Sequence, residues 1–171
     1  METWEAIRSR RNVRRYTATP LPPADLDQIL EAGRRAPSSR NWQPWDFVVV
    51  TDRDRLTQLA EVWQYAGHVA QSAATIALVA PEPADQLHRD WLEYDLGQAT
   101  MSMMLAATDL GIGTGHAAVT DQDLARNILG HPLDHFVAYL IALGYPTDGP
   151  FAPIRRPDRR PFDDVVHRDH W

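Results

Sequence analysis

The stretch A-P-S-S-R-N-W-Q-P-W-D-F-V-V-V (36–50) joins the end of a helix to a polar loop and a strand. The apolar helix face before it, with i, i+3, i+4, i+7 spacing, consists of Leu26, Ile29, Leu30 and Gly33. Pro37 ends that helix, and the β-branched run 47–50 predicts a buried strand. The loop between them holds two hydroxyls, two amides, an arginine and two tryptophans. Such a loop typically binds a planar polar ligand, with a turn that covers the core edge as the alternative.

The same kinds of pattern extend the architecture in both directions along the chain. Further helices are predicted over residues 4–11, 53–64, 84–110 and 120–130, and further strands over residues 75–80 and 136–143. The segment G-I-G-T-G (111–115) is predicted as a loop that ends the longest helix, and residues 147–171 as an extended tail. These elements predict one α+β domain over residues 1–171, with helices around a small sheet.

Composition removes several classes of chemistry. The chain has 171 residues, of which 44% are hydrophobic and 23% charged, as in an ordinary globular protein. It has no cysteine, which excludes thiol nucleophiles, iron–sulfur clusters and disulfides. All 17 basic residues are arginine, so Schiff-base, pyridoxal-phosphate and Walker-A chemistry, which need a lysine amine, are excluded as well.

Charge and hydropathy predict where the protein works. No apolar run approaches the ~20 residues that a membrane-spanning helix needs, and the start of the chain lacks a signal-peptide stretch. We therefore expect a soluble, cytoplasmic protein without a membrane partner. The net charge of −6 argues against general binding to nucleic acid.

Arginines nevertheless concentrate at the two ends of this acidic chain. The clusters are Arg8, Arg10, Arg11, Arg14 and Arg15 at the start, and Arg155, Arg156, Arg159 and Arg160 near the end. Guanidinium forks and an amide in the motif R-R-N-V-R (10–14) could hold a phosphate by charge-assisted hydrogen bonds. We expect either that both clusters bind one small anion or that both are solvated termini.

Two other kinds of site are disfavoured. The histidine pairs His131/His135 and His167/His170 lack a carboxylate at ligand spacing, so no metal site is predicted. A serine hydrolase is unsupported because no G-x-S-x-G motif occurs. The segment 111–115 is not a dinucleotide fingerprint, since it follows a helix. Its backbone could still approach a flat ligand, and a simple helix-breaking loop is the alternative.

Six ordered motifs together resemble the nitroreductase family of flavin-dependent oxidoreductases, over nearly the whole chain. They are R-R-N-V-R-R-Y (10–16), A-P-S-S-R-N-W-Q-P-W (36–45), D-L-G-Q-A (95–99), L-G-I-G-T-G (110–115), L-G-Y-P (143–146) and R-R-P-F-D-D-V-V-H-x-x-x-W (159–171). The resemblance implies a nitroreductase-like α+β fold with a small central mixed β-sheet flanked by helices. It also implies a homodimer, with the long central helix at the interface and a tail (147–171) that embraces the partner.

The resemblance also assigns roles to residues. It implies FMN as cofactor, with the phosphate and ribityl chain held by Arg10, Arg11, Asn12 and Arg14, completed by Arg159 or Arg160. From the partner subunit, the loop facing the flavin would supply Pro37, Ser38, Ser39, Asn41 and Gln43. The glycine segment against the ring would supply Gly113, Thr114 and Gly115, and substrate would be contacted by Arg40 and Trp42. Asn12 replaces the serine usual in the family.

The implied reaction is a ping-pong transfer of hydride from NADH or NADPH, through flavin N5, to a small-molecule acceptor such as a nitroaromatic, quinone or enone. No protein general acid is assigned. The choice of donor and acceptor stays open, as does the group near flavin N1, for which His68 or an arginine is available. Alternatives are deazaflavin use, dehalogenation or flavin fragmentation on the same fold, and a flavin store or sensor without turnover.

Overall fold

A computed structural model describes all 171 residues. Five helices and four strands follow one another along the chain. The helices are α1 Thr3–Ser9, α2 Pro23–Arg34, α3 Arg53–Leu59, α4 Gln86–Asp109 and α5 Gln122–Leu129. The strands are β1 Asp46–Val50, β2 Ala74–Pro81, β3 Gly113–Ala118 and β4 His135–Gly144. No helix is long and apolar enough to cross a membrane.

The four strands form one sheet in the order β1-β2-β4-β3, and every neighbouring pair is antiparallel. The expectation of a mixed sheet was therefore wrong. That expectation came from the family resemblance; in this chain α5 returns the chain to β4, which lies beside β3 in the opposite direction. An isolated bridge joins Asn12, which lies outside the strands, to Thr114 of β3 in the parallel sense.

The glycine segment also differs from its prediction, because residues 113–115 begin strand β3. Glycine has a low strand propensity, which hid the strand from pattern analysis. Here its missing side chain is required: a Cβ on Gly115 would lie 2.3 Å from the backbone oxygen of Val13. Gly111, at φ +74°, ends α4 in the left-handed conformation. The glycines therefore let the N-terminal segment pack directly on the sheet.

Core residues alternate between the two faces of the sheet. Ile76, Leu78 and Ile141 face the layer that contains α2 and α4. Ala77 and Leu140 face the layer that contains α3 and α5. This alternation follows from the two-residue period of a strand. Helix α4 therefore packs on the sheet face that carries Ile76, Leu78 and Ile141, and it separates that face from solvent.

Helix α4 is tied to the sheet by residues with helical spacing. Leu92, Leu96, Ala99 and Met103 are buried, whereas Tyr94 and Met101 on the other side are exposed. Asp85 caps the helix by accepting a hydrogen bond from the backbone N–H of His88 at 2.9 Å. The prediction of a long central helix is confirmed, and its outer side carries large apolar side chains that nothing within the chain covers.

The C-terminal tail, residues 147–171, contains no α-helix and no strand. The backbone N–H of Thr147 donates to Arg15 and that of Ile154 donates to Arg8, so the tail first runs beside the N-terminal segment. Beyond residue 154 it is exposed and contains a single short turn, Phe162–Asp164. Its last residue, Trp171, is 96% exposed.

Candidate functional site

The N-terminal segment 10–16 lies across the start of β3. The backbone N–H of Val13 donates to the carbonyl oxygen of Thr114 at 2.8 Å. The hydroxyl of Tyr16, which is buried, donates to the carbonyl oxygen of Val13 at 2.6 Å. Burial raises the pKa of Tyr16, so the phenol remains a donor. These contacts fix the backbone of the segment while leaving its basic side chains outside.

Those basic side chains have no acidic partner. Arg10, Arg11 and Arg14 make no ion pair, whereas neighbouring Arg15 pairs with Asp148 at 2.9 Å. A nitrogen of Arg10 donates instead to the amide oxygen of Asn12 at 3.3 Å. The guanidinium of Arg11 lies 4.8 Å from the ring centre of Phe151. The cluster is therefore positively charged without compensation, as an anion site requires.

A cavity of about 530 Å³ opens beside this cluster, between α4 and the strands β3 and β4. Its walls are formed by Arg10, Glu93, Leu96, Gly97, Thr100, Met101, Met104, His116, Phe136, Ala138 and Tyr139. Most of this wall is apolar, with Arg10 and His116 among the polar groups. Burial, followed by the charges of Arg14 and Arg10, lowers the pKa of His116. The cavity wall is thus mostly apolar, and Arg10 and Glu93 are the charged side chains on it.

On another part of the surface, the loop of residues 38–43 is anchored to α4. The backbone N–H of Ser39 donates to Oδ2 of Asp95 at 2.9 Å, and the Ser39 hydroxyl lies 3.4 Å from Oδ1. Within the loop, the backbone N–H of Gln43 donates to the hydroxyl oxygen of Ser38 at 2.8 Å. The loop is therefore held by a buried carboxyl group and by its own side chains.

Three residues of this loop adopt left-handed backbone angles: Arg40 at φ +52°, Asn41 at φ +57° and Gln43 at φ +54°. Each such residue other than glycine costs of order 1 kcal/mol, and strain of this kind is concentrated at functional sites. The conformation exposes Pro37, Arg40, Asn41 and Gln43. Trp42 is also 42% exposed, and the guanidinium of Arg40 lies 5.8 Å from the ring centre of Trp91. The predicted substrate residues therefore project from the loop.

The loop and the cavity occupy opposite sides of α4. Successive residues of a helix are about 100° apart, so Gly97 lies roughly 200° from Asp95 and Met104 roughly 180° from it. Asp95 binds the loop, whereas Gly97 and Met104 line the cavity. The structure therefore does not bring the two groups of predicted residues together within one chain.

The predicted ring-contacting residues are buried beneath the N-terminal segment. Gly113, Thr114 and Gly115 are absent from the cavity wall, and their neighbour His116 takes that position in β3. The hydroxyl oxygen of Thr114 is buried without a hydrogen-bond partner. His68 is also buried, with Nε2 3.4 Å from the carbonyl oxygen of Gly115, and its burial lowers its pKa.

Arg159 and Arg160 make their hydrogen bonds within the C-terminal tail. Arg159 donates to the carbonyl oxygen of Asp158, and Arg160 to that of Asp164, so both contact only the exposed tail. No group of three histidine, aspartate or glutamate side chains is arranged to hold a metal ion. The expectation that the two arginine clusters share one anion stays a prediction.

Sequence reasoning missed three contributors to the site. His116 directly follows the quoted glycine motif and belongs to β3. Because residues 111–115 were predicted to be a loop, its place in a strand beside the cavity was missed. Asp95 and Gln98 belong to the quoted motif D-L-G-Q-A, but their contacts with a loop 56 and more residues away left no trace in local spacing. Hydrogen bonds between residues so far apart in the chain cannot be predicted from local sequence patterns.

Fold and site together define an α+β protein with a mostly apolar cavity beside an arginine-rich segment without acidic partners. The chain belongs to the nitroreductase family, whose model, described as "Nitroreductase family", matches residues 7–83 and 57–145. A protein of Archaeoglobus fulgidus named "Putative NADH dehydrogenase/NAD(P)H nitroreductase" is 32% identical over 99% of both chains. The FMN reductase (NAD(P)H) of Bacillus subtilis is 26% identical over 99% of this chain and 74% of its own.

The fold of this chain is also similar to that of solved structures. The NADPH:FMN oxidoreductase of Vibrio harveyi, solved in complex with NAD⁺, superimposes with a TM-score of 0.86 at 24% identity. The alignment covers 99% of this chain and 77% of that one. This likeness confirms the predicted nitroreductase-like architecture of helices around a small sheet.

Proposed function

We propose that this protein is an FMN-dependent oxidoreductase that takes electrons from NADH or NADPH and passes them to a small electrophilic acceptor. The observation that carries the proposal is the row of unpaired Arg10, Arg11 and Arg14 beside an apolar cavity of about 530 Å³. Membership of the nitroreductase family and the name of the Bacillus subtilis relative supply the identity of the cofactor and donor.

The residues present fit FMN in charge and in shape. Its phosphate needs cations without acidic partners and hydrogen-bond donors, which Arg10, Arg14 and the amide of Asn12 offer. Its flat ring needs apolar surface such as Leu96, Met104 and Phe136 of the cavity wall.

A homodimer would complete the site. Within one chain α4 separates the loop 38–43 from the cavity, so a second copy is needed to bring a loop to each cavity. The outer side of α4 and the ends of the chain also expose large apolar side chains: Trp4, Tyr94, Met101, Phe162 and Val165. Exposed groups of this kind are typical of an interface. The tail that holds Arg159 and Arg160 would then reach the partner's phosphate site.

The chemistry supplied by bound FMN is two-electron transfer, from NADH or NADPH in one half-reaction and to a nitroaromatic, quinone or enone in the other. The chain's own residues bind and orient. Arg10 and Arg14 neutralise the phosphate, and the apolar wall excludes water from the ring. Arg40 and Trp42, exposed on the anchored loop, would contact the acceptor at the mouth of the partner's site. Orientation and exclusion of water are the protein's expected contributions.

The test is the visible absorption spectrum of the purified protein, followed by anaerobic addition of NADH and, separately, NADPH. An oxidised-flavin spectrum that bleaches with one of them, and returns when a nitroaromatic or quinone is added, is the expected result. Flavin that neither donor bleaches would contradict the reductase and leave a store or a deazaflavin-dependent enzyme. A colourless protein that FMN cannot reconstitute would remove the proposal altogether.

A further inference from the structure

Asp95 is a buried carboxyl group that the proposed reaction does not use. Only 1% of the residue is exposed, and no arginine or histidine pairs with it. Its hydrogen-bond partners are the backbone N–H and hydroxyl of Ser39 and the amide of Gln98. Buried carboxyl groups are costly and are retained where their hydrogen bonds achieve something that an apolar residue cannot.

The surroundings of Asp95 show that packing alone does not require a carboxyl there. The neighbouring positions on the same helix face are the apolar residues Leu92 and Ala99, both fully buried. An apolar side chain at position 95 would continue this face without the cost of burying a polar group. The carboxyl is distinguished by its contact with the loop, 56 residues earlier in the chain.

The loop needs an external support because its own backbone is strained. Arg40, Asn41 and Gln43 all adopt left-handed angles, and strained conformations persist only where surrounding contacts determine them. Asp95 fixes the residue immediately before the strained run by accepting the backbone N–H of Ser39. Gln98 adds a weaker contact, from its amide nitrogen to the carbonyl oxygen of Pro37 at 3.5 Å.

We propose that Asp95, assisted by Gln98, is a positioning residue that holds the loop 38–43 in the shape with which it serves the flavin site of the partner subunit. The two polar residues of the motif D-L-G-Q-A thus bind the loop, while Gly97 between them lines the cavity on the other side of the helix. One turn of α4 therefore serves two sites. This inference rests on the proposed function only in naming what the loop serves.

The experiment compares Asp95→Ala, Asp95→Asn and Gln98→Ala with the matched control Asp90→Ala. Asp90 lies on the same helix, is exposed, and accepts a hydrogen bond only from Gln86, one turn away. The first readout is residue-resolved amide hydrogen exchange of the loop in the protein without flavin. The second is FMN affinity, and the third is the steady-state kcat and KM of the FMN-loaded enzyme for a quinone acceptor.

In Asp95→Ala we expect exchange at the Ser39 amide to accelerate about tenfold or more, because the lost bond leaves a part-buried N–H unsatisfied. The expected catalytic effect is a fall of about tenfold in kcat/KM with FMN affinity changed less than about threefold, since Arg10 and Arg14 are untouched. Asp95→Asn, which keeps one acceptor oxygen, should recover part of both effects. Gln98→Ala should show a smaller effect than Asp95→Ala.

Unchanged exchange at Ser39 in both Asp95 variants, relative to Asp90→Ala, would overturn the anchoring role. Faster exchange with kcat/KM equal to that of the control would overturn the positioning role. If Asp95→Ala fails to fold, Asp95→Asn and Gln98→Ala decide by the same criteria. A wild-type protein that does not bind FMN would reject the proposed function, while the exchange data would still decide whether Asp95 holds the loop.

Discussion

The two sides of α4 differ in how far their polar groups are paired within the chain. On the loop side, Asp95 accepts hydrogen bonds from Ser39, Ser38 accepts one from the backbone N–H of Gln43, and the backbone is held in a strained shape. On the cavity side, Arg10 and Arg14 have no acidic partner. The first side is therefore complete in the isolated chain, whereas the second is arranged for something that the chain does not itself contain.

This contrast shows how a site can be divided between rigid and receptive parts. A loop whose backbone is fixed by hydrogen bonds keeps its geometry before a ligand arrives, which lowers the conformational entropy lost on binding. Uncompensated cations beside an apolar cavity gain most when an anionic ligand arrives. Because one helix separates the two parts, each chain offers a rigid part and a receptive part that face in different directions.

The largest effect is expected from Gly115→Val, which disrupts the packing of the N-terminal segment on β3. The added Cβ would lie 2.3 Å from the backbone oxygen of Val13, so the segment 10–16 must move. We expect a loss of about 2 kcal/mol or more in the free energy of unfolding, together with loss of FMN binding. Urea denaturation and flavin titration measure both. Gly67→Ala, where a Cβ meets nothing within 4 Å, is the control and should behave as wild type.

The next largest effect is expected from Arg14→Ala and Arg10→Ala. Each removes a cation without removing a packed core residue, so we expect FMN affinity to fall about 10- to 100-fold with little change in thermal stability. Flavin fluorescence titration at several salt concentrations measures this affinity. Arg15→Ala is the control, because Arg15 already pairs with Asp148 on the surface. An equal loss in Arg15→Ala would mean that only general charge matters.

A smaller but more diagnostic effect is expected from mixed subunits. Chains carrying Asp95→Ala are combined with chains carrying Arg14→Ala, and the hybrid is isolated by two different affinity tags. If each loop serves the cavity of the other chain, one of the two sites in the hybrid has no defect. Activity per dimer should then recover to about half of the wild-type value. Activity no greater than the average of the two parent variants would mean that loop and cavity act within one chain.

The smallest effect concerns pH and His68. Burial lowers the pKa of His68 below its usual 6.5, so the unfolded chain takes up a proton at this residue before the folded protein does. The free energy of unfolding should therefore decline as pH falls from about 7 towards 5. His68→Gln should show a shallower decline in urea denaturation across this range. A decline in His68→Gln equal to that of the wild type would contradict the assignment.

The helices and hydrophobic strands could be predicted because their signals are local. The spacing of Leu26, Ile29 and Leu30 defines α2 almost to its ends, and the run from Thr75 to Ala80 lies within β2. Residues 60–64 were included in the third predicted helix, but α3 ends at Leu59. The end of α3 was misplaced because no proline or glycine marks it.

The remaining features depend on contacts between distant residues. Strand β3 contains two glycines, and it exists because Val13 and β4 pack against it from far away in the chain. Strand direction likewise followed from the return of α5 rather than from any pattern in β3 or β4. The motif search found the basic residues and the loop because their chemistry is unusual. It could not show that Asp95 joins the loop to α4, since a lone aspartate in a helix has many roles.

The packing of the first sixteen residues on glycines has a consequence for synthesis of the protein on the ribosome. Val13 docks on Thr114, and Tyr16 packs against Gly144, so each waits for a partner made 100 or more residues later. At ordinary rates of translation this delay lasts on the order of ten seconds. Throughout that time the basic N-terminus remains unassembled on the nascent chain. The basic segment 10–16 can therefore take its folded position only in the last stage of folding, after the final strand has left the ribosome.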